Sequence, residues 1–350
     1  MCVVGARPNF MKVKPVIAAL ERRGMKTALV HTGQHYDHNM DAVFFDELGL
    51  RDPDRHLGVG SGSQAQQTAG VMIALEPILD EFQPDVVVVV GDVNSTLGAA
   101  LVTAKSGARL AHVEAGLRSG DWTMPEEVNR VVTDRLSDFL FAPSQDAVDN
   151  LRSEGCADER IHLVGNVMID TVVDHLDRAA DRSILGDLGL NPHAYGLVTL
   201  HRPANVEPMM LKQLVQALEE VAKHCPLLLA AHPRTQRELC NVSGGAHLRV
   251  VPPLGYLDFL ALQRSARLVL TDSGGIQEET TFLGVPCLTL RETTERPITV
   301  REGTNKVVGR EPDRIVDEAL RVLHHGVPPR RPPLWDGHAA ERIAAVLAER

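Results

Sequence analysis

Short aliphatic runs alternate along this chain with longer amphipathic stretches, and a glycine or polar turn separates each pair. That repeat is the signature of βα units wound onto a parallel sheet. The clearest run is 86–90, five consecutive valines, which demands cover on both faces. Further strands are predicted at 1–4, 27–31, 109–113, 139–142 and 161–164, with helices at 66–82, 95–105, 126–136 and 145–153. A second series of strands, at 196–200, 227–231, 248–250, 267–271 and 287–290, alternates with helices at 209–224, 257–265, 274–283 and 312–324. The pattern therefore predicts two wound halves, divided between 165 and 191, and a proline-rich stretch at 326–333 that leads to a last helix at 337–349. Only Met1 to Val4 precede the Gly5 turn. A buried parallel strand usually runs about five or six residues, so either a short strand or a start slightly upstream is expected.

The length of 350 residues accommodates two domains. With 44% hydrophobic and 23% charged residues the chain is neither disordered nor a coiled coil. Its net charge of −10, from 46 acidic and 36 basic residues, disfavours a nucleic-acid partner, which would need a basic face. No aliphatic run approaches the roughly 20 residues that span a bilayer, and no basic, apolar, small-residue signal opens the sequence, so a cytosolic location without a membrane partner is expected. Five scattered cysteines without a CxxC pair suggest buried thiols, not a disulfide framework or a zinc ribbon. At 4%, aromatic residues are too few for base-stacking recognition, which leaves small molecules as the better class of ligand.

Ligands of open parallel sheets bind beyond the carboxyl ends of strands, so the polar residues that follow aliphatic runs carry the chemistry. After the first run, Gly5, Arg7, Pro8 and Lys12 combine a turn, a helix-opening proline and two cations suited to an anion, although solvated first-turn charges would look the same. After the valines come Gly91 and Asp92, with Asn94 and Ser95 available to cap the next helix. Glu114 ends the following strand; Glu126 and Arg130 share one helical face, and Glu127 reads as an ordinary exposed helix-start acid. Several acids at one sheet mouth suit proton transfer. In the second half His201 and His232 each end a strand and precede Pro and Arg, where a histidine near a diphosphate makes chemical sense and a satisfied core histidine is the plain alternative. The strongest cluster is Thr271 to Glu279: a strand, a Ser273-Gly274-Gly275 turn and a helix start whose bare N–H groups would cradle a diphosphate, with Glu279 placed to accept from a ribose. The mixed charges at 291–297 usually mean a solvated loop, but they follow a strand. Gly58, Gly60 and Gly62 imitate a glycine fingerprint without a predicted strand before them, and read as a flexible loop. His31, His35, Asp37 and His38 imitate a metal site without structural context, so no metal is expected there.

Nine motifs in order, GARPNFMK, TGQHYD, the valine strand with Gly91 and Asp92, HVEAGLRSGD, PEEVNR, VGNVMID, HRPAN, TDSGGIQEE and RETTERP, resemble the non-hydrolysing bacterial UDP-N-acetylglucosamine 2-epimerases over nearly the whole length. The resemblance implies an α/β, glycosyltransferase-B-like fold of two Rossmann-like domains with the active-site cleft between them. It places the first domain at 1–168 and the UDP-binding domain at 169–336, with the helix at 337–350 packing back on the first. It further implies a cytosolic homodimer that converts UDP-N-acetylglucosamine to UDP-N-acetylmannosamine for polysaccharide biosynthesis, without a cofactor or a dissociable metal. Carried over residue by residue, substrate-binding cations fall on Arg7 and Lys12, acid/base carboxylates on Asp92, Glu114 and Glu126, and the diphosphate-side histidine on His201. Uridine diphosphate binders fall on Ser273, Gly274, Gly275, Glu279 and Arg296, with Phe259 near the uracil and Arg130 among the substrate contacts. Leu254 stands where some members carry Gln, and 60–64 lacks the Arg with which regulated members hold a second substrate molecule. A hydrolysing epimerase, a nucleotide-sugar glycosyltransferase and an inactive nucleotide-binding protein are the alternatives.

Overall fold

In the computed structural model, which describes residues 1–33, 49, 51–231 and 247–349, the chain forms two compact units, Met1–Val173 with Pro333–Arg350, and Asp174–Pro332. The His35, Asp37 and His38 group, most of TGQHYD, the cluster from His232 to Thr235, and Cys240 lie outside the described residues. No described helix is long and apolar enough to cross a membrane. The four described cysteines, Cys2, Cys156, Cys225 and Cys287, are buried free thiols.

The first unit is a seven-stranded parallel sheet built from β1 (Cys2–Val4), β2 (Leu29–His31), β3 (Arg55–His56), β4 (Val86–Val90), β5 (Arg109–Val113), β6 (Phe139–Ala142) and β7 (Ile161–Leu163). Its order is β3-β2-β1-β4-β5-β6-β7. Helices α1 (Arg7–Arg22), α2 (Gln64–Phe82), α3 (Asn94–Thr103), α4 (Pro125–Leu136), α5 (Gln145–Ser153) and α6 (Val167–Ala180) connect or follow the strands. The β-branched valines of β4 are covered on both faces, as their sequence demands: Val87 and Val89 join Val3, Val30, Val71, Leu75 and Ala99 in one core cluster, and Val88 and Val90 on the other face are buried too. A capping box opens α2, with Ser63 Oγ accepting from Gln66 N–H at 3.2 Å and Gln66 Oε1 accepting from Ser63 N–H at 3.0 Å. The glycines at 58–62 do follow a strand, the two-residue β3, and join it to α2. So short an edge strand has no hydrophobic pattern to announce it.

The second unit repeats the winding in six parallel strands: β8 (Gly196–Thr199), β9 (Leu227–Ala230), β10 (Leu248–Val251), β11 (Leu268–Thr271), β12 (Cys287–Thr289) and β13 (Asn305–Val307), ordered β10-β9-β8-β11-β12-β13. Its main helices are α7 (Pro208–Ala222), α8 (Tyr256–Arg264), α9 (Gly274–Leu283) and α10 (Pro312–His325). The closing helix α11 (Ala339–Ala348) belongs to the first unit and packs against α1. Its first turn is capped from α6, where Asp170 accepts from the N–H groups of Ala339 and Ala340 at 3.1 and 2.7 Å. The buried Trp335 precedes it and donates to the Pro143 carbonyl at 3.0 Å. Both strand orders reverse once, between β1 and β4 and between β8 and β11. Ligands of doubly wound sheets bind outside the carboxyl ends of the strands at such a reversal.

Candidate active site

In the first unit the reversal brings together the turns after β1, β4 and β5. Asn9, in the first turn of α1, accepts from the N–H groups of Gly5 and Ala6 at 3.4 and 3.0 Å and donates to the Val90 carbonyl at 3.1 Å, which ties the first turn to the second. Gly91 has φ +69°, and a Cβ there would stand 3.3 Å from Asn9 Nδ2 and 3.5 Å from Glu114 Oε2, so only glycine combines that backbone with that approach. Lys12 is buried and its Nζ lies 2.5 Å from Glu114 Oε2. The cation expected to await an anion is thus paired with a carboxylate. Glu114 itself has φ +72°, an uncommon conformation for a residue with a side chain, and its Oε1 is buried with no hydrogen-bond partner among the described residues. Strain and an orphaned carboxylate oxygen in one residue make Glu114 a candidate for function. Arg7 opens α1 as its first residue.

Helix α4 supplies the rest of this half. Arg130 turns to Asp92 and Glu127, not to Glu126, because its guanidinium is buried and needs both charges. Glu127 is therefore not the exposed acid expected: it is 1% exposed and accepts from the N–H groups of Ser119 and Gly120 at 2.9 and 2.8 Å. Burial raises its pKa, yet these N–H donors and Arg130 bring the net shift below the usual carboxylate value. The side chain of Glu126, half-buried on the first turn, makes no hydrogen bond or ion pair among the described residues. Asn94 and Ser95 do not cap α3, whose N-cap is Val93. Instead Asn94 donates to Gln67 at 2.7 Å and accepts from Asn129 at 3.2 Å, while the Ser95 hydroxyl meets that of Thr32 at 2.7 Å.

In the second unit the reversal is organised by Asp272, a residue that the sequence offers only as part of a cluster. Its fully buried carboxylate accepts from the N–H groups of His201 and Arg202 at 3.0 Å each, from Asn205 Nδ2 at 3.0 Å, and lies 2.7 Å from His201 Nδ1. Burial opposes its charge, but the His201 ring and these donors hold it below the ordinary carboxylate value. With Nδ1 turned to Asp272, His201 Nε2 is left for a ligand, and the ring is 57% exposed. Beside it Ser273 precedes α9. A Cβ on Gly274 would stand 2.8 Å from Glu295 Oε1 and 2.9 Å from Arg296 Nη1, so the glycine lets the charged loop lie directly on the helix start. That loop, read as solvated on charge alone, is so only in part: Glu292 and Thr293 are exposed, whereas Glu295 and Arg296 are buried. Arg296 pairs with Glu278 at 2.7 Å and Glu295 at 2.8 Å, and Glu295 pairs with Arg291 at 2.9 Å. Burial works against the Glu295 charge, but Arg296 and Arg291 hold its carboxyl well below the usual range. With Arg202 3.5 Å from Glu295, three guanidiniums face two carboxylates beside the helix N-terminus, an arrangement suited to a diphosphate.

Glu279 lies one turn into α9, buried at 4% exposure, with Tyr256 Oη at 3.4 Å. With its amide turned to satisfy both groups, Gln263 donates to Glu279 at 2.8 Å. Burial, and then the charge of Glu278, push Glu279 up to about 8. Phe259, half-buried on α8, packs with Leu254 against the core on that side of the sheet. Among the described residues no group of three or more His, Cys, Asp or Glu side chains could hold a metal ion.

A family model for UDP-N-acetylglucosamine 2-epimerases matches residues 18–348. The chain belongs to that family. A UDP-N-acetylglucosamine 2-epimerase of Methanocaldococcus jannaschii is 40% identical over 358 residues, covering 99% of this chain and 97% of the relative. A UDP-2,3-diacetamido-2,3-dideoxy-D-glucuronate 2-epimerase of Pseudomonas aeruginosa is 39% identical over 355 residues, covering 100% and 99%. The solved structure of a Methanocaldococcus jannaschii UDP-GlcNAc 2-epimerase in complex with UDP-GlcNAc and UDP superposes with a TM-score of 0.91 at 39% identity, covering 100% of this chain and 99% of that one. The two Rossmann-like units accordingly belong to the glycosyltransferase-B-like α/β class. Asp272, Glu127, Asn129, His112 and Asp134 of this epimerase-family chain are polar anchors that reading its motifs did not single out. Asp272 carried a signal, an acid directly after an aliphatic strand; Glu127 and Asp134 carried another, as charges on the helical face that also bears Arg130.

Proposed function

We propose that this chain interconverts UDP-N-acetylglucosamine and UDP-N-acetylmannosamine by epimerisation at C2. One observation carries the reading: in a chain of the 2-epimerase family, Glu114 is held in left-handed backbone beside Lys12 with one buried carboxylate oxygen unpartnered. The C2 proton of the sugar is not adjacent to a carbonyl, so direct deprotonation is too slow at neutral pH. Elimination removes the difficulty. The C1–O bond to UDP breaks as a carboxylate takes the C2 proton, leaving a 2-acetamidoglucal, UDP and a protonated acid. A proton then returns to C2 on the opposite face, the UDP oxygen re-adds at C1, and the epimer forms with all atoms accounted for.

Two faces require two acid/base groups, and Asp92, Glu114 and Glu126 are the residues assigned to them. Lys12 and Arg130 orient Glu114 and Asp92 by pairing with them, and Arg7 contributes a cation to the sugar nucleotide. The leaving diphosphate is assigned to Ser273, Gly274, Gly275 and Arg296, with His201 donating to it, Glu279 to the ribose and Phe259 to the uracil. The reading includes a cytosolic homodimer, which light scattering of the purified chain would test. The decisive experiment is proton NMR with UDP-N-acetylglucosamine in deuterated water. Deuterium entering C2 as UDP-N-acetylmannosamine appears supports the proposal. Free N-acetylmannosamine with UDP would mean the hydrolysing reaction, and an unchanged spectrum would overturn the assignment to this substrate.

A further inference from the structure

A helix packed on a sheet normally buries an apolar stripe. Helix α4 instead buries Glu127, Asn129, Arg130, Thr133 and Asp134, while Val128 is 38% exposed. Buried charges are costly unless fully paired, and apolar side chains of similar volume commonly serve stability as well or better. Here the pairs converge on two turns. Asn129 Nδ2 donates to the Asp92 carbonyl at 2.9 Å, and Arg130 binds the Asp92 carboxylate. Asp134 reaches the same turn through His112, a β5 residue whose Nδ1 lies 2.6 Å from Asp134 Oδ1 and whose Nε2 donates to the Gly91 carbonyl at 2.9 Å. The other Asp134 oxygen accepts from Gly116 N–H at 3.0 Å, two residues beyond Glu114, and pairs with Arg118 at 2.8 Å. One buried carboxylate thus holds both the turn that carries Asp92 and the turn that carries Glu114.

We propose that His112 and Asp134 are positioning residues for proton transfer: the His112 bond to the Gly91 carbonyl places Asp92, and the Asp134 bond to Gly116 holds the left-handed backbone of Glu114. At 0% and 1% exposure neither touches a sugar, so both act through the turns. The inference rests on Asp92 and Glu114 being the acid/base groups.

The ring offers a clean dissection, since a glutamine amide nitrogen reproduces the Nε2 position and an asparagine amide nitrogen the Nδ1 position. H112Q keeps the bond to Gly91; H112N keeps the bond to Asp134 and loses Gly91. Turnover, KM, deuterium incorporation at C2 and UDP affinity are measured for both, with a thermal melt to confirm folding. In H112N turnover and deuterium incorporation fall together by about tenfold or more, because small misplacements of reacting groups are expensive. KM and UDP affinity stay within about twofold, and H112Q recovers most of the loss. Wild-type turnover in H112N, or equal losses in the two variants, overturns the proposal. Should H112N not fold, D134N decides: turnover within about twofold of wild type overturns it, and a tenfold loss at unchanged KM supports it. Absence of C2 exchange in the unaltered protein overturns the epimerase reading itself, which separates the two failures.

Discussion

Glu114 is the residue to which the proposed mechanism assigns most of the first unit's chemistry. Its positive φ costs about 1–3 kcal/mol for a residue with a Cβ, and nothing in the sequence announces that cost, because the strain arises only when β5 ends against Lys12 and the Gly91 turn. E114Q retains shape and one acceptor but not the base, and turnover measured by NMR should fall by about 10² or more with the fold intact. H201A should lower turnover by a similar factor of about 10² through loss of a donor to the leaving diphosphate. Its melting temperature should fall modestly, since the buried Asp272 carboxylate loses the ring as a partner. Glu279 makes a different prediction. Its folded pKa of about 8 lies above its ordinary value of 4.5, so the folded state binds this proton more tightly than the unfolded one. The contribution to stability is complete below pH 4.5 and is lost as pH rises through 8. E279Q lacks that loss, so the stability of the variant relative to wild type should rise between pH 5 and 9 in denaturant titrations. A flat difference would refute the shift.

Elements show where sequence patterns inform and where they mislead. The valine run of β4, the strand ends of β5 and β11, and the helix that follows Ser273-Gly274-Gly275 stand where the hydrophobic pattern puts them. Their periodicity follows from burial of one or two faces, which is a local property. Helix α4 defeats that logic because its buried face is charged, so Glu127 looked solvent-exposed when it is enclosed. Glu295 and Arg296 of the loop at 291–296 mislead in the same direction, since they are buried and, with Arg291, compensate one another against α9. Helix α11 depends on a distant cap, since its N-cap residue His338 supplies no side-chain bond and Asp170 stands in for it. D170A should therefore lower stability by about 1–2 kcal/mol, read from urea unfolding, whereas a surface-acid control such as D174A should change little.

At the scale of the molecule the two units have different tasks, and ligands should discriminate between them. On the proposed assignment, UDP is held around Arg296 and does not need the carboxylates of the first unit. At 100 times its dissociation constant UDP should stabilise the protein by about 2.7 kcal/mol. Scanning calorimetry should record a raised transition for wild type and for E114Q, and none for R296A. An equal shift in R296A would remove the guanidinium from the nucleotide site. By itself the sequence determined the class of the fold, the family, and most of the residues at strand ends. Those follow from alternation of aliphatic and polar segments and from ordered motifs, both of which are written along the chain. Tertiary structure alone decided the strand order, with its reversals at β1/β4 and β8/β11, and so which strand ends become neighbours. It also decided that Lys12 pairs with Glu114, that Arg130 chooses Asp92 and Glu127, and that Asp272 holds His201. These pairings join residues up to 102 positions apart, and which partner a buried charge takes is governed by the desolvation it must escape once the chain has closed around it.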